Sequence, residues 1–261
     1  MIVKRVPAGL VGLTILAQIV YPLVGGDARN GVTVATVVLG FAASVAHAGL
    51  TRGWRTAAVL VLVTSGGGLL VEAVGTATGF PFGEYAYAGT LGPKAFGVPW
   101  VIPLAWTMMA WPAWLVAGRL AGGWARVLVA GWALASWDVF LDPQMVDAGH
   151  WSWASGGAGL PGVPGIPVTN YLGWLLVAVV MAAALRLFRL DADARPRADA
   201  PMLTFYLWTY ASSVLAQAAF FGLPASAAWG ALAMGAVAVP LAVTLYRSGR
   251  FARPAPLAGA R

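Results

Sequence analysis

At 261 residues the length alone would suggest one or two soluble domains, but only 10% of the residues are charged, 60% are apolar and the mean hydropathy is +0.78. Soluble domains carry about a quarter charged residues, so this composition excludes them and predicts an integral membrane protein. The net charge of +7 does not point to nucleic acid, because the basic residues fall in ones, twos and short clusters between apolar runs, and the absence of cysteine excludes disulfides, thiolate metal sites and cysteine nucleophiles.

Windows of about 19 residues, the length that crosses a hydrocarbon core of about 30 Å, predict an all-α polytopic bundle. Eight spans are expected, with seven as the alternative count, near 7–24, 31–50, 56–76, 99–118, 124–142, 168–188, 202–221 and 226–246. The first span follows Lys4 and Arg5 like a signal segment, yet no small-residue cleavage site follows "ILAQIV", so it is expected to stay as a helix. With a cytoplasmic N-terminus, the inner segments hold Lys4, Arg5, Arg52, Arg55, Arg119, Arg126, Arg186, Arg189, Arg195, Arg197, Arg247, Arg250, Arg253 and Arg261. Only Arg29 and Lys94 remain outside, so the positive-inside rule places both termini in the cytoplasm. The chain reads as one membrane domain over 1–261, without internal repeats. "DADARPRADA" and the tail 247–261 read as solvated cytoplasmic segments.

Two outer connections, 77–98 and 142–167, are longer than the rest and mix Gly and Pro with aromatics, which rules out continuous helix. They are either an aromatic belt at the membrane interface or loops folded over a pocket mouth.

The acids sharpen the choice. Asp191, Asp193 and Asp199 fall in an inner loop, and Asp27 and Asp147 in outer turns, where solvent accounts for them. Glu72 lies about one turn inside the outer end of the third span, Asp138 and Asp142 sit at the outer end of the fifth, and Glu84 lies in the outer loop. An ionisable group at membrane depth costs about 2.5–3.5 kcal/mol, so these four are expected to face a protein interior or a wet cavity. Residues four apart on a helix face the same way, about 5–6 Å apart at Cβ. Asp138 and Asp142 therefore resist double ionisation, and the pair is expected to hold one proton near neutral pH and to titrate as a unit. Pro143 is expected to end the helix there, so that the negative end of the helix dipole further favours the neutral form. The plainer alternative is that Asp142 only turns the chain before proline while Asp138 pairs with Lys94 or hydrogen-bonds a Trp or Tyr.

A neutral carboxylic acid in an apolar, aromatic pocket is a Brønsted acid for a substrate dissolved in the bilayer. Protonating a trisubstituted alkene yields a tertiary carbocation, which aromatic faces stabilise by about 0.5–2 kcal/mol each. Trp100, Trp106, Trp137, Trp151, Trp153, Tyr85, Tyr87 and Phe82 are available for packing or for this role. His47 and His150 make no metal-ligand spacing, so no metal site is expected, and His150 reads as an interfacial hydrogen-bonding group. "SGGGLL" at 65–70 reads as a close helix-packing surface. Lys94 could tune a carboxylate, and Asn170 could cap the sixth span or bind water.

The motifs "GFPFGEYAY" (79–87), "LGPKAFGVPWVIPLAW" (91–106), "SWDVFLDPQM" (136–145) and "GIPVTNYLGW" (165–174) carry a resemblance. Across residues 70 to 190 the chain resembles the integral-membrane carotenoid hydratases, which include lycopene or gamma-carotene 1,2-hydratases and bisanhydrobacterioruberin hydratases. The resemblance implies addition of water across the 1,2 double bond of an acyclic ψ end group, giving a tertiary alcohol without a redox cofactor. Its expected partners are the carotenoid, water, membrane lipids and other carotenoid-pathway enzymes, in the cytoplasmic membrane. On that basis Asp138 and Asp142 are expected to give the proton and Glu72 or Glu84 to orient and deprotonate the water, with these roles exchangeable. Tyr85, Tyr87, Phe82, Lys94, Trp106, Trp137 and Asn170 are expected around the substrate and its water. Rival readings are a cyclase using the same acid, a Mg²⁺-dependent prenyltransferase built on the Asp-x-x-x-Asp pattern, and a non-enzymatic carotenoid carrier.

Overall fold

A computed structural model describes residues 5–154, 157–190 and 196–251. Lys4, Asp191, Asp193, Arg195, Arg253 and Arg261 lie outside the described residues, as do most of the expected tail and the side chains of Arg197 and Arg250. Helix α1 (Val6–Val20) continues into a 3₁₀ turn, Tyr21–Leu23, and α2 spans Gly26–Arg52. Gly53 alone, at φ 94°, separates α2 from the next span. That span is α3 (Trp54–Val61), a π turn (Leu62–Gly66) and α4 (Gly67–Thr78). At the π turn, Thr64 and Ser65 each meet the Thr107 hydroxyl at 2.6 Å. The remaining helices are α5 (Val101–Leu120), α6 (Gly123–Asp147), α7 (Val168–Leu187), α8 (Pro196–Ala219) and α9 (Pro224–Phe251).

Counting α3 to α4 as one, the described residues form eight helical segments, and the protein is an all-α polytopic membrane bundle. Seven of the segments are long and apolar enough to cross a bilayer. The exception is α8, which opens on "PRADAP" and carries Thr204, Thr209, Ser212, Ser213 and Gln217. Helix α5 is the central element, buried over most of its length against α2, α6 and α8. The glycine run does serve close packing: a Cβ on Gly68 would lie 2.6 Å from the Trp106 indole, so only glycine lets α4 approach α5 this closely.

The two long connections meet over one end of the bundle. Strand β1 (Tyr85–Tyr87) pairs antiparallel with β4 (Trp151–Trp153), with Tyr85 opposite Trp153 and Tyr87 opposite Trp151. Alternation along a strand puts Tyr85, Tyr87, Trp151 and Trp153 on one face, with the small Ala86 and Ser152 on the other. A short hairpin of β2 (Lys94–Ala95) and β3 (Val98–Pro99) leads into α5.

Two expectations need correction. Pro143 does not end α6, which runs on to Asp147. Proline lacks the N–H that would bond the Val139 carbonyl, and Ser226 Oγ of α9 donates to that oxygen instead at 2.9 Å. Gln217 Nε2 of α8 donates to the next carbonyl, Phe140, at 2.5 Å. The neighbouring helices thus satisfy the backbone and the helix continues. Asp199 is not in a solvated loop but buried in the first turns of α8, at the end opposite the β1–β4 cap. Arg52 and Arg119, each in the last turn of its helix, donate to its two oxygens at 2.6 and 3.0 Å. Beside it the Trp111 indole, which can only donate, bonds His47 Nδ1 at 2.9 Å, so His47 Nε2 carries the proton toward the Ala198 carbonyl.

Candidate active site

Three carboxyl groups are buried beneath the β1–β4 cap. Glu72 on α4 is 3% exposed and is held by three donors. The Tyr85 and Tyr87 hydroxyls donate to its Oε2 at 2.6 and 2.7 Å, and Trp106 Nε1 donates to Oε1 at 3.1 Å. Both phenols stay neutral, because burial, and then the Glu72 charge, push their pKa values above the usual tyrosine range. The strand alternation explains this convergence: residues 85 and 87 point the same way, toward α4.

Across the pocket, Asp142 and Asp138 project from the same face of α6. Trp151 Nε1 donates to Asp142 Oδ1 at 3.0 Å. The Asn170 amide bridges the pair, donating to Asp138 Oδ2 at 2.9 Å and to Asp142 Oδ2. Asn170 therefore clamps the two acids rather than capping α7, whose N-cap is Pro167. Asp138 is fully buried, and its Oδ1 has no partner among the described residues. The Asn170 amide thus holds the Asp138 and Asp142 carboxyls side by side. Among the described residues, no Lys, Arg or His pairs with Glu72, Asp138 or Asp142.

Glu72 and Asp142 line one narrow pocket, with Phe82, Tyr85, Tyr87, Trp106, Asn170 and Trp174 in its walls. Trp106 and Trp174 stack face to face at 3.9 Å, and Phe82 packs against Trp174 at 6.5 Å. Trp153 and Leu141, Ile102, Ala105 and Trp151 complete the lining, and the last four are shared with a second, larger cavity between α1, α2, α5, α6 and α8. Trp137 faces that larger cavity while meeting Trp174 edge-on at 6.3 Å.

Two expected residues stay outside this cluster. Glu84 directly precedes β1, and alternation sends its side chain to the exposed side, into a shallow groove with Gly79 and Ser152. Lys94 is exposed and donates to the Tyr87 carbonyl at 2.5 Å, not to a carboxylate. Trp100 is also partly exposed and does not line the pocket. His150 is buried with Nδ1 on Thr90 at 2.7 Å; burial lowers its pKa, and it bonds none of the acids. Trp174 is the wall residue that sequence reasoning missed. Its signal was available: it lies one helical turn after Asn170, hence on the same face of α7.

The family model described as "Carotenoid biosynthesis protein" matches residues 32–237. The bisanhydrobacterioruberin hydratase of Haloarcula japonica is 35% identical over 120 residues, a stretch that is 42% of this chain and 39% of that protein. No solved structure matches the chain. The family match takes in most of the chain and every residue of the carboxyl pocket, so the protein belongs to the carotenoid biosynthesis protein family.

Proposed function

We propose that this protein hydrates the terminal 1,2 double bond of an acyclic carotenoid end group to a tertiary alcohol. The observation that carries the reading is the pocket's two-sided chemistry: Asp142, clamped to the buried Asp138 behind it through the Asn170 amide, on one wall and the separate Glu72 carboxyl on the other, with stacked indoles beside them. The hydratase activity named for the haloarchaeal relative supports it.

In this mechanism the Asp138/Asp142 pair transfers its proton to C2 of the alkene, leaving a tertiary cation at C1. The faces of Trp106 and Trp174 stabilise that charge. Water adds its oxygen to C1, and Glu72 takes the proton that the bound water loses. This division of roles is supported by the donor arrangement. Glu72 is fixed in place by Tyr85, Tyr87 and Trp106, whereas Asp142 faces the pocket and is joined through Asn170 to Asp138, whose Oδ1 has no donor. The proton then returns to the pair, so the cycle needs no redox cofactor. The charge bias of the connections supports placing this pocket at the outer side of the cytoplasmic membrane.

The test is expression in cells that accumulate an acyclic carotenoid, with chromatography and mass analysis of the pigments. The expected product is heavier by one water, and Asp138→Asn should abolish it while the protein still accumulates in the membrane. An isomeric cyclised product, or an active Asp138→Asn protein, would overturn the assignment.

A further inference from the structure

The larger cavity beside the acid pocket has its polar groups unevenly distributed. Its α5 and α6 wall is mostly apolar, with Ile102, Met108, Phe140 and Leu141 beside the single amide of Gln144, whereas α1, α2 and α8 present Gln18, Thr36 and Thr209. Threonines in buried helices commonly satisfy their hydroxyls on their own backbone. Thr14 and Thr33 do so here, bonding Leu10 O at 2.8 Å and Arg29 O at 2.9 Å. Gln18 Oε1, Thr36 Oγ1 and Thr209 Oγ1 do not: each is buried, and none has a hydrogen-bond partner among the described residues. Thr209 is only 2% exposed. Three residues that line this cavity, each from a different helix, thus carry an unsatisfied oxygen.

The acid pocket, by contrast, has its donors already engaged. Tyr85, Tyr87 and Trp106 bond Glu72, and Trp151 and Asn170 bond the aspartates. The β1–β4 cap lies over the pocket, and Ile102, Ala105, Leu141 and Trp151 form a wall common to both cavities. A buried water typically needs two to four polar partners, which the Gln18, Thr36 and Thr209 wall can supply.

We infer that this polar wall holds the reactant water and delivers it past Leu141 to the cation, so that Thr36 and Thr209 are water-positioning residues. The inference rests on the hydration reading. Once C2 has taken a proton, the cation has two fates. Water can form the C1–O bond and release a proton to Glu72. Otherwise a carbon next to the cation loses a proton to a carboxylate and the alkene re-forms. In D₂O the second fate yields alkene carrying deuterium, so the ratio of alcohol to deuterated alkene reports water supply.

The experiment uses membranes containing the full chain, supplied with an acyclic carotenoid in D₂O. It compares wild type with Thr36→Val, Thr209→Val, the double variant and Thr209→Ser. The double variant is expected to lower the ratio about tenfold, the scale of two lost neutral hydrogen bonds, and each single variant about threefold, while deuterium exchange continues; Thr209→Ser, which keeps the hydroxyl, should retain the wild-type ratio. An unchanged ratio overturns the inference, as does a parallel fall of alcohol and exchange, which would mean that the wall binds the carotenoid itself. Wild-type protein that gives neither alcohol nor exchange refutes the hydration reading, and with it the water wall.

Discussion

Asn170 offers the sharpest probe of the acid pair, because one amide serves two carboxyls. In Asn170→Ala, Asp138 loses its donor at 2.9 Å and Asp142 loses one of its two side-chain donors, leaving Trp151 at 3.0 Å. A hydrogen bond to a charged group contributes about 1.5–3 kcal/mol. The two bonds are not independent, since freed carboxyls can bond each other more closely, so the value of one bond is the better guide. With about 1.36 kcal/mol per tenfold change in rate, turnover should fall roughly 10- to 150-fold. The assay is alcohol formed per unit of membrane-inserted protein, with thermal unfolding in detergent measured alongside. A variant that keeps more than about half of wild-type turnover would refute the claim that Asn170 organises the proton-sharing pair.

Two further outcomes test the fold and the cap. Asp199→Asn leaves Arg52 and Arg119 buried without their shared carboxylate, so stability should fall by about 3–5 kcal/mol, read as a lower Tm. Turnover per folded molecule should be unchanged, because the cluster sits at the far end of the bundle. The Tyr85 and Tyr87 phenols have folded pKa values above the ordinary 10.0, so their contribution to stability is fully present below that pH and declines as pH rises past it. Tm should therefore drop above about pH 10, and more shallowly in the Tyr85→Phe, Tyr87→Phe double variant. An identical drop in the double variant would show that other groups cause it.

Much of the fold was legible in the chain because hydrophobic transfer and helical periodicity are local properties. The span boundaries fall within a few residues of those expected, apart from the start of α2, the end of α6, the start of α8 and the end of α9, which lie five or six residues away. The end of α6 and the start of α8 were decided by partners distant in sequence. Ser226 and Gln217 satisfy the carbonyls around Pro143, and Arg52 and Arg119 draw Asp199 into the interior. The proline and the acidic segment were read by their local rules, which those partners override.

The candidate site divides in the same way. Composition and spacing sufficed to establish a membrane protein with two acids on one helical face, since four residues along a helix set that geometry whatever else the chain does. Which other acid joins them was a tertiary matter. Pairing β1 with β4 turns Tyr85 and Tyr87 inward onto Glu72 and leaves Glu84 outside, although Glu84 and Tyr85 are neighbours in the chain. Strand alternation provides two faces, but only contact with a segment more than sixty residues away decides which face is covered.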